Sequence, residues 1–313
     1  MEQDFVDEKN CVNKDGDPQA CYPPFFNAAF KRRVIASNTC GMRHREKYCH
    51  FLPTSGSHQC NYCDAKNPRD NEDHSADALT DNNVNNWWQS QNLAHNRTIH
   101  YKESVYLDID LGARLHLAYI MLDFKSQMPK AMVIHRKLGK DDEWKPWAYY
   151  AYNCINSFNM QGRKTYDSFK YFDEVICMDD YHVPQDNKIT FAIMNGRIEP
   201  RLFYTKKEFM DWASARQVRI EFKKFMTLGD EMEAKEESLI TYYVAVKSLK
   251  IGARCDCNGH ASDCKPVTGD RVENPEMNCQ CHPSHFTQGN NCEECKPLYR
   301  DGPWKPNEPC KSK

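Results

Sequence analysis

The sequence predicts an all-β sandwich followed by a small cysteine-stapled segment. Three observations predict it. Apolar and polar residues alternate in many short segments, the signature of half-buried strands. Only one stretch shows the three- and four-residue apolar spacing of an amphipathic helix. Eight of the sixteen cysteines crowd between Cys255 and Cys310.

Length and charge bound the function. The chain has 313 residues, 40% of them hydrophobic, enough for one large core and an appendage. Its net charge of −2 gives no electrostatic case for binding nucleic acid. No apolar run approaches the ~20 residues that span a bilayer, so membrane insertion is not expected. Met1-Glu-Gln-Asp has neither the basic nor the apolar region of a signal peptide, which implies a chain whose leader has been removed. Sixteen cysteines and one sequon, Asn96-Arg97-Thr98, point to an oxidising, secretory route. Asn96 is the candidate glycosylation site.

In chain order, residues 1–10 are acidic and aperiodic and are expected to be flexible. Cys11 and Cys21 flank the turn-rich Asn13-Lys-Asp-Gly-Asp-Pro, and a bond between them would close a short hairpin. Cys40, Cys49, Cys60 and Cys63 follow in a region poor in aliphatic residues, where Cys60-Asn-Tyr-Cys63 reads as a zinc knuckle or as half of two disulfides. The stretch Ala78 to Ser90 is rich in Asn and contains Trp87 and Trp88; strand alternation would bury one ring and expose the other. Leu107, Ile109 and Leu111 alternate with Asp108 and Asp110, and His116 to Phe124 is apolar on both faces, as a central strand is. Met132 and Ile134, the aromatic run Lys145 to Tyr152, Ile189 to Ile193, Val218 to Phe222 and Tyr242 to Ile251 supply further strands. Cys154 and Cys177 are expected to pair across the intervening loop. Lys206 to Ala215, with Phe209, Trp212 and Ala213 on one face, is the amphipathic helix. Gly252-Ala-Arg is the expected junction to the tail. Alternation alone does not separate jelly-roll from immunoglobulin topology.

The tail is too short to bury a core that offsets its conformational entropy, and covalent staples are the usual remedy. Zinc is the competing reading, with His260 or His282 as further ligands, but sixteen cysteines beside a sequon favour disulfides. Eight cysteines allow on the order of a hundred pairings, so spacing leaves the connectivity open.

Arg254-Cys-Asp-Cys-Asn-Gly-His-Ala-Ser-Asp-Cys264, Cys279-Gln-Cys, Cys292-Glu-Glu-Cys and Pro297-Leu-Tyr-Arg-Asp-Gly-Pro-Trp304 resemble the first laminin-type EGF-like module. Phe26-Asn-Ala-Ala-Phe30, Asn38-Thr-Cys-Gly41, Leu79-Thr-Asp-Asn-Asn83 and Trp87-Trp-Gln-Ser90 resemble laminin N-terminal (LN) domains, the γ-chain and netrin versions in particular. The resemblance implies a jelly-roll β-sandwich with long disulfide-tied loops over residues 11–254 and an EGF-like domain over 255–310. It also implies the bonds Cys40–Cys63, Cys49–Cys60, Cys255–Cys264, Cys257–Cys279, Cys281–Cys292 and Cys295–Cys310. Netrins usually carry an extra cysteine pair at the positions of Trp87 and Lys125, so its absence here favours the laminin version. With strand alternation, the cysteine that relatives place at the first position makes Trp87 the outer and Trp88 the buried ring.

No Gly-x-Ser-x-Gly, His-Glu-x-x-His or phosphate-cradling glycine loop occurs, and His95, His100, His116 and His135 are scattered, so a non-enzyme is expected. The one ligand signal is the Asx-rich loop at Asp81, whose residue types suit either plain turns or a hard cation. The resemblance implies a calcium ion here, since LN domains of several laminin and netrin chains hold one at this loop. The matching positions here are the Ala78 carbonyl, the Asp81 carboxylate, Asn86 and Ser248, with Lys247 at the aligned last-strand position, so a structural Ca2+ is expected. The function implied is a secreted basement-membrane component of the extracellular matrix, the short-arm tip of a laminin γ-like chain. Its partners would be the LN domains of α and β chains, or cell-surface receptors. The alternative is a netrin-like guidance cue that binds neuronal receptors.

Overall fold

The computed structural model describes residues 10–52, 56–69, 71–95, 103–167, 169–179, 187–197, 203–204, 206–267 and 275–312. Asn96, and all but Asn10 of the expected flexible N-terminus, lie outside them. The strands are β1 (Phe26–Asn27), β2 (Val34–Ala36), β3 (Glu46–Leu52), β4 (Ser57–Cys63), β5 (Trp88–Gln89), β6 (Val105–Phe124), β7 (Ala131–Lys137), β8 (Lys145–Ala151), β9 (Gly162–Arg163), β10 (Cys177–Asp179), β11 (Lys188–Ala192), β12 (Ser214–Lys224) and β13 (Ala245–Cys255).

The two strands expected at Leu107–Leu111 and His116–Phe124 are one strand of 20 residues, β6. Its first half pairs with β12 on one side and, around Leu107–Ile109, with β2 on the other. Its second half pairs with β13 and with β11. From β12 the ladder continues through β7, β8, β10 and β9, whereas β13 carries β1 and β5. One continuous strand therefore belongs to both layers of the sandwich. The change of partners falls next to Gly112, whose φ of +83° is open to glycine but costly for other residues. A Cβ there would also stand 2.5 Å from the Pro275 carbonyl oxygen.

Between the layers lies a single core. Trp88 stacks on Phe222 of the facing layer at 6.0 Å, and Trp147 meets Phe191 edge-on at 5.6 Å. All four rings are at most 1% exposed. Trp88 is the inner ring of its pair, with Trp87 only partly buried just before β5, and its indole N–H donates to Thr39 Oγ1 at 3.1 Å.

Three local expectations are corrected. The helix expected over Lys206 to Ala215 spans only Lys207–Trp212, because β12 begins at Ser214. The cysteine-rich loop after Cys40 contains a regular hairpin, β3–β4, in which Cys49 faces Cys60. Its polar, exposed outer strand carries no apolar alternation to announce it. Gly252-Ala-Arg is not a linker: β13 runs through it to Cys255, paired with β1 and β6.

The structure holds Cys11–Cys21, Cys40–Cys63, Cys49–Cys60, Cys154–Cys177, Cys255–Cys264, Cys257–Cys279, Cys281–Cys292 and Cys295–Cys310, and no cysteine is free. The C-terminal module is tied back to the N-terminal loop. Cys21 N–H donates to Gly259 O at 3.0 Å, and the Tyr22 hydroxyl to Asn307 Oδ1 at 2.7 Å. The buried rings of His260 and His285 share a hydrogen bond of 2.9 Å, and His285 Nε2 lies 3.2 Å from Cys11 O.

Two outcomes follow from this packing. Trp88→Ala should lower the unfolding free energy by about 3–5 kcal/mol, because it empties a fully buried aromatic site. Trp87→Ala should lower it clearly less; denaturant unfolding of the two variants checks the order, and equal losses refute it. Thiol titration of the denatured, unreduced chain should find no reactive thiol.

Candidate cation site in the Asx-rich loop

The loop is anchored before it becomes polar. Ala76–Leu79 forms a short 3-10 turn with Ala78 and Leu79 buried. Thr80 Oγ1 then donates to Arg32 O at 2.8 Å, and Lys31 N–H to Thr80 O at 3.0 Å. From Asp81 on, the chain makes successive Asx turns. Asp81 Oδ1 accepts from Asn83 N–H at 2.7 Å, and Asn83 Oδ1 from Asn85 N–H at 3.1 Å. Asn82 is left-handed, with φ of 64°, which asparagine tolerates better than most residues. Asn86 closes the loop, its Nδ2 donating to Asp81 Oδ2 at 2.9 Å.

Two of the four expected donors, Asp81 and Asn86, therefore touch directly. Ala78 sits in the turn just upstream. Ser248 is on β13, two residues beyond Val246, which pairs with Trp88 of β5. The donor set is all hard oxygen, which suits calcium. Each Asp81 oxygen keeps a lone pair beyond its present hydrogen bond. Asn86 turns its amide nitrogen toward Asp81, so cation binding requires that amide to rotate and present Oδ1.

Lys247 does not stand against this donor set as a free charge. It lies where the β13–β6 register shifts, between Val246 and Ser248, and its Nζ is 3.7 Å from Asp123 Oδ1 on β6. Lys188 shares the same carboxylate, with Nζ 3.7 Å from Oδ2.

The floor of the loop was not legible as a site. Trp87 stacks on His74 at 4.2 Å, and Lys125 Nζ lies 5.0 Å from the Trp87 centroid. Trp87 and Lys125 are thus joined by a cation–π contact. His74 is 2% exposed, and Tyr48 Oη lies 3.2 Å from its Nε2. Burial lowers its pKa to about 4; Asp73 and Glu72 pull it upward, and Lys125 pushes it further down.

Among the described residues, the clusters of three His, Cys or acidic side chains close enough to share a metal are Cys11–Cys21–His285 and Cys40–Glu46–Cys63. In both, the cysteines are joined to each other and offer no thiolate. No described helix is long and apolar enough to cross a membrane.

A disulfide-tied β-sandwich that carries an Asx-rich loop and runs into a four-disulfide module defines a two-module, oxidising-compartment protein. Residues 21–253 match the Laminin N-terminal (Domain VI) family and residues 255–310 the Laminin EGF domain, and the chain belongs to the laminin N-terminal family. It is 32% identical to laminin subunit gamma-1 of Danio rerio, over 96% of this chain and 19% of that protein. It is equally 32% identical to laminin-like protein lam-2 of Caenorhabditis elegans, over 92% and 18%. Laminin subunit gamma-3 of Homo sapiens is 30% identical over 94% and 18%. The chain therefore spans less than a fifth of the length of these relatives. Among solved structures, a chitosan-binding module of Paenibacillus sp. IK-5 aligns with 72% of this chain and 98% of its own, at a TM-score of 0.36 and 9% identity.

The buried His74 gives a pH prediction. Its folded pKa of about 4 lies below the unfolded value of 6.5, so the unfolded chain binds the extra proton. Its contribution to stability is therefore full above pH 6.5 and is lost as pH falls toward 4. The loss is on the order of 3 kcal/mol. His74→Phe should flatten that part of the stability–pH curve relative to wild type, while His74→Gln, which keeps a polar group, tests whether the ring stack itself matters. An unchanged acid slope in His74→Phe would show that other groups carry it.

Proposed function

We propose that this chain is the tip of a laminin γ-like short arm, a secreted and non-catalytic component of the extracellular matrix and basement membrane. In this reading the sandwich associates, with calcium bound at the Asp81 loop, with the LN domains of α and β laminin chains. The observation that carries it is the match to γ subunits along almost the whole chain, through both modules. Three features of the loop support the calcium part: the Asp81–Asn86 contact, the oxygen-only donor set, and the pairing of Lys247 with Asp123. When bound, calcium would supply a positive charge that holds these oxygens together. Asp81 provides the single carboxylate, Ala78 and Ser248 the flanking positions, and the packed turn at Ala78–Leu79 keeps the loop in place.

A cation that binds only the folded form adds about 2.7 kcal/mol when its free concentration is a hundredfold above the dissociation constant. The melting temperature of wild type should therefore rise between EDTA and millimolar calcium. Asp81→Ala should abolish that rise and leave the EDTA value nearly unchanged. Sedimentation of the chain with α and β LN fragments should show a complex that EDTA and Asp81→Ala both weaken. A melting temperature indifferent to calcium removes the cation from the reading. A calcium response without any complex removes the partners.

A further inference from the structure

Trp144-Lys145-Pro146-Trp147 stands apart from the Asp81 loop. Of the six tryptophans, these are the two separated by two residues. Trp-x-x-Trp is the pattern that C-mannosyltransferases of the secretory pathway accept, and they act on the first ring. The structure distinguishes the two rings sharply. Trp147 is 0% exposed, and it meets Phe191 and Trp212 edge-on at 5.6 and 6.2 Å. A hexose on it would have to displace the core.

Trp144 is only partly buried, just ahead of β8, with exposed Asp141, Asp142 and Glu143 before it and exposed Lys145 after it. Two cations lie over its ring. The Arg219 guanidinium lies 4.5 Å from its centroid and Lys137 Nζ 4.8 Å. Arg219 also covers Tyr106 at 4.0 Å and is held by Asp108 through two bonds of 2.6 Å. Trp144 thus stands between two cations in a ladder, Tyr106–Arg219–Trp144–Lys137, laid across β6, β12 and β7. Cations occupy the faces of the indole, whereas its C2 atom lies on the edge, so a substituent at C2 leaves the stacking intact.

We propose that Trp144 carries a C-linked mannose. The donor is a polyprenyl-phosphate mannose, available in the lumen where disulfide-rich chains fold. A carbon–carbon bond forms between indole C2 and the mannose anomeric carbon, and the bond from that carbon to the phosphate oxygen breaks. The polyprenyl phosphate leaves with the electron pair, and the C2 proton goes to a base of the transferase. The product is uncharged and resists the amidases that remove Asn-linked glycans. The proposal rests on secretion of the chain, which the same cultures report directly.

The test is peptide mass spectrometry of the full chain, secreted behind a leader from cells that contain a C-mannosyltransferase and from matched cells that lack it. In the competent cells, the peptide holding Trp144 should gain one hexose that survives amidase treatment and fragments as a substituent of Trp144. That mass should be lost from the deficient cells and from Trp144→Phe. An unmodified Trp144 in protein secreted by competent cells overturns the proposal, as does a hexose located on Trp147. Because wild type alone decides this, a variant that fails to fold does not blunt the test.

Discussion

The sandwich depends on one strand serving two layers. Val105–Phe124 exchanges its partners halfway, from β2 and β12 to β11 and β13. Everything placed on either layer is positioned through that strand. The Asp81 loop enters β5, β5 is held by β13, and β13 is held by the second half of β6. The aromatic core between the layers closes the same arrangement from inside, since Phe124 of β6 and Trp88 of β5 both pack on Phe222 of β12. Two backbone details make the exchange possible. Gly112 adopts a dihedral that other residues would resist, and the register slips where β12 passes from Ala215 to Gln217. Such irregularities re-aim strands without ending them.

Much of this was legible in the residues. Alternation at Leu107–Leu111 and Val218–Phe222 announced strands because one face of each is buried and the other solvated. The same two-residue period separated Trp87 from Trp88, and the family resemblance gave the order of the two rings. What was hidden lay where no such asymmetry exists. The β3–β4 hairpin is held by cystines and its outer strand is exposed nearly throughout, so that strand has no apolar face to read. The continuity of β6 is a property of its neighbours, because local sequence cannot say that a glycine bends a strand rather than ends it. Helix spacing at Phe209 and Trp212 was genuine, yet the competing ladder of β12 claimed the residues from Ser214 onward.

The candidate site was half legible. Asp81 and Asn86 are five residues apart and meet through a turn that Asx residues make locally. The role of Lys247 was not readable, because it hangs on a register slip between two strands far apart in sequence. Its ammonium faces Asp123, across the ladder, and the loop's donors are left without a fixed cation among them. His74 beneath the loop was equally silent: a histidine in a polar stretch reveals its burial only when Trp87 folds over it.

The passage of β13 through Arg254 into Cys255 has a mechanical meaning. The C-terminal module is not hung from a flexible tether; its first cysteine is the last residue of an interior strand flanked by β1 and β6. Tension applied along the module enters the sandwich lengthwise, so the hydrogen bonds of that ladder share the load in shear instead of opening one after another. The bonds Cys255–Cys264 and Cys257–Cys279, which begin at or just beyond the strand's end, limit how far the neighbouring chain can extend under the same pull. A module anchored in this way passes a pull into the sandwich along the length of an interior strand.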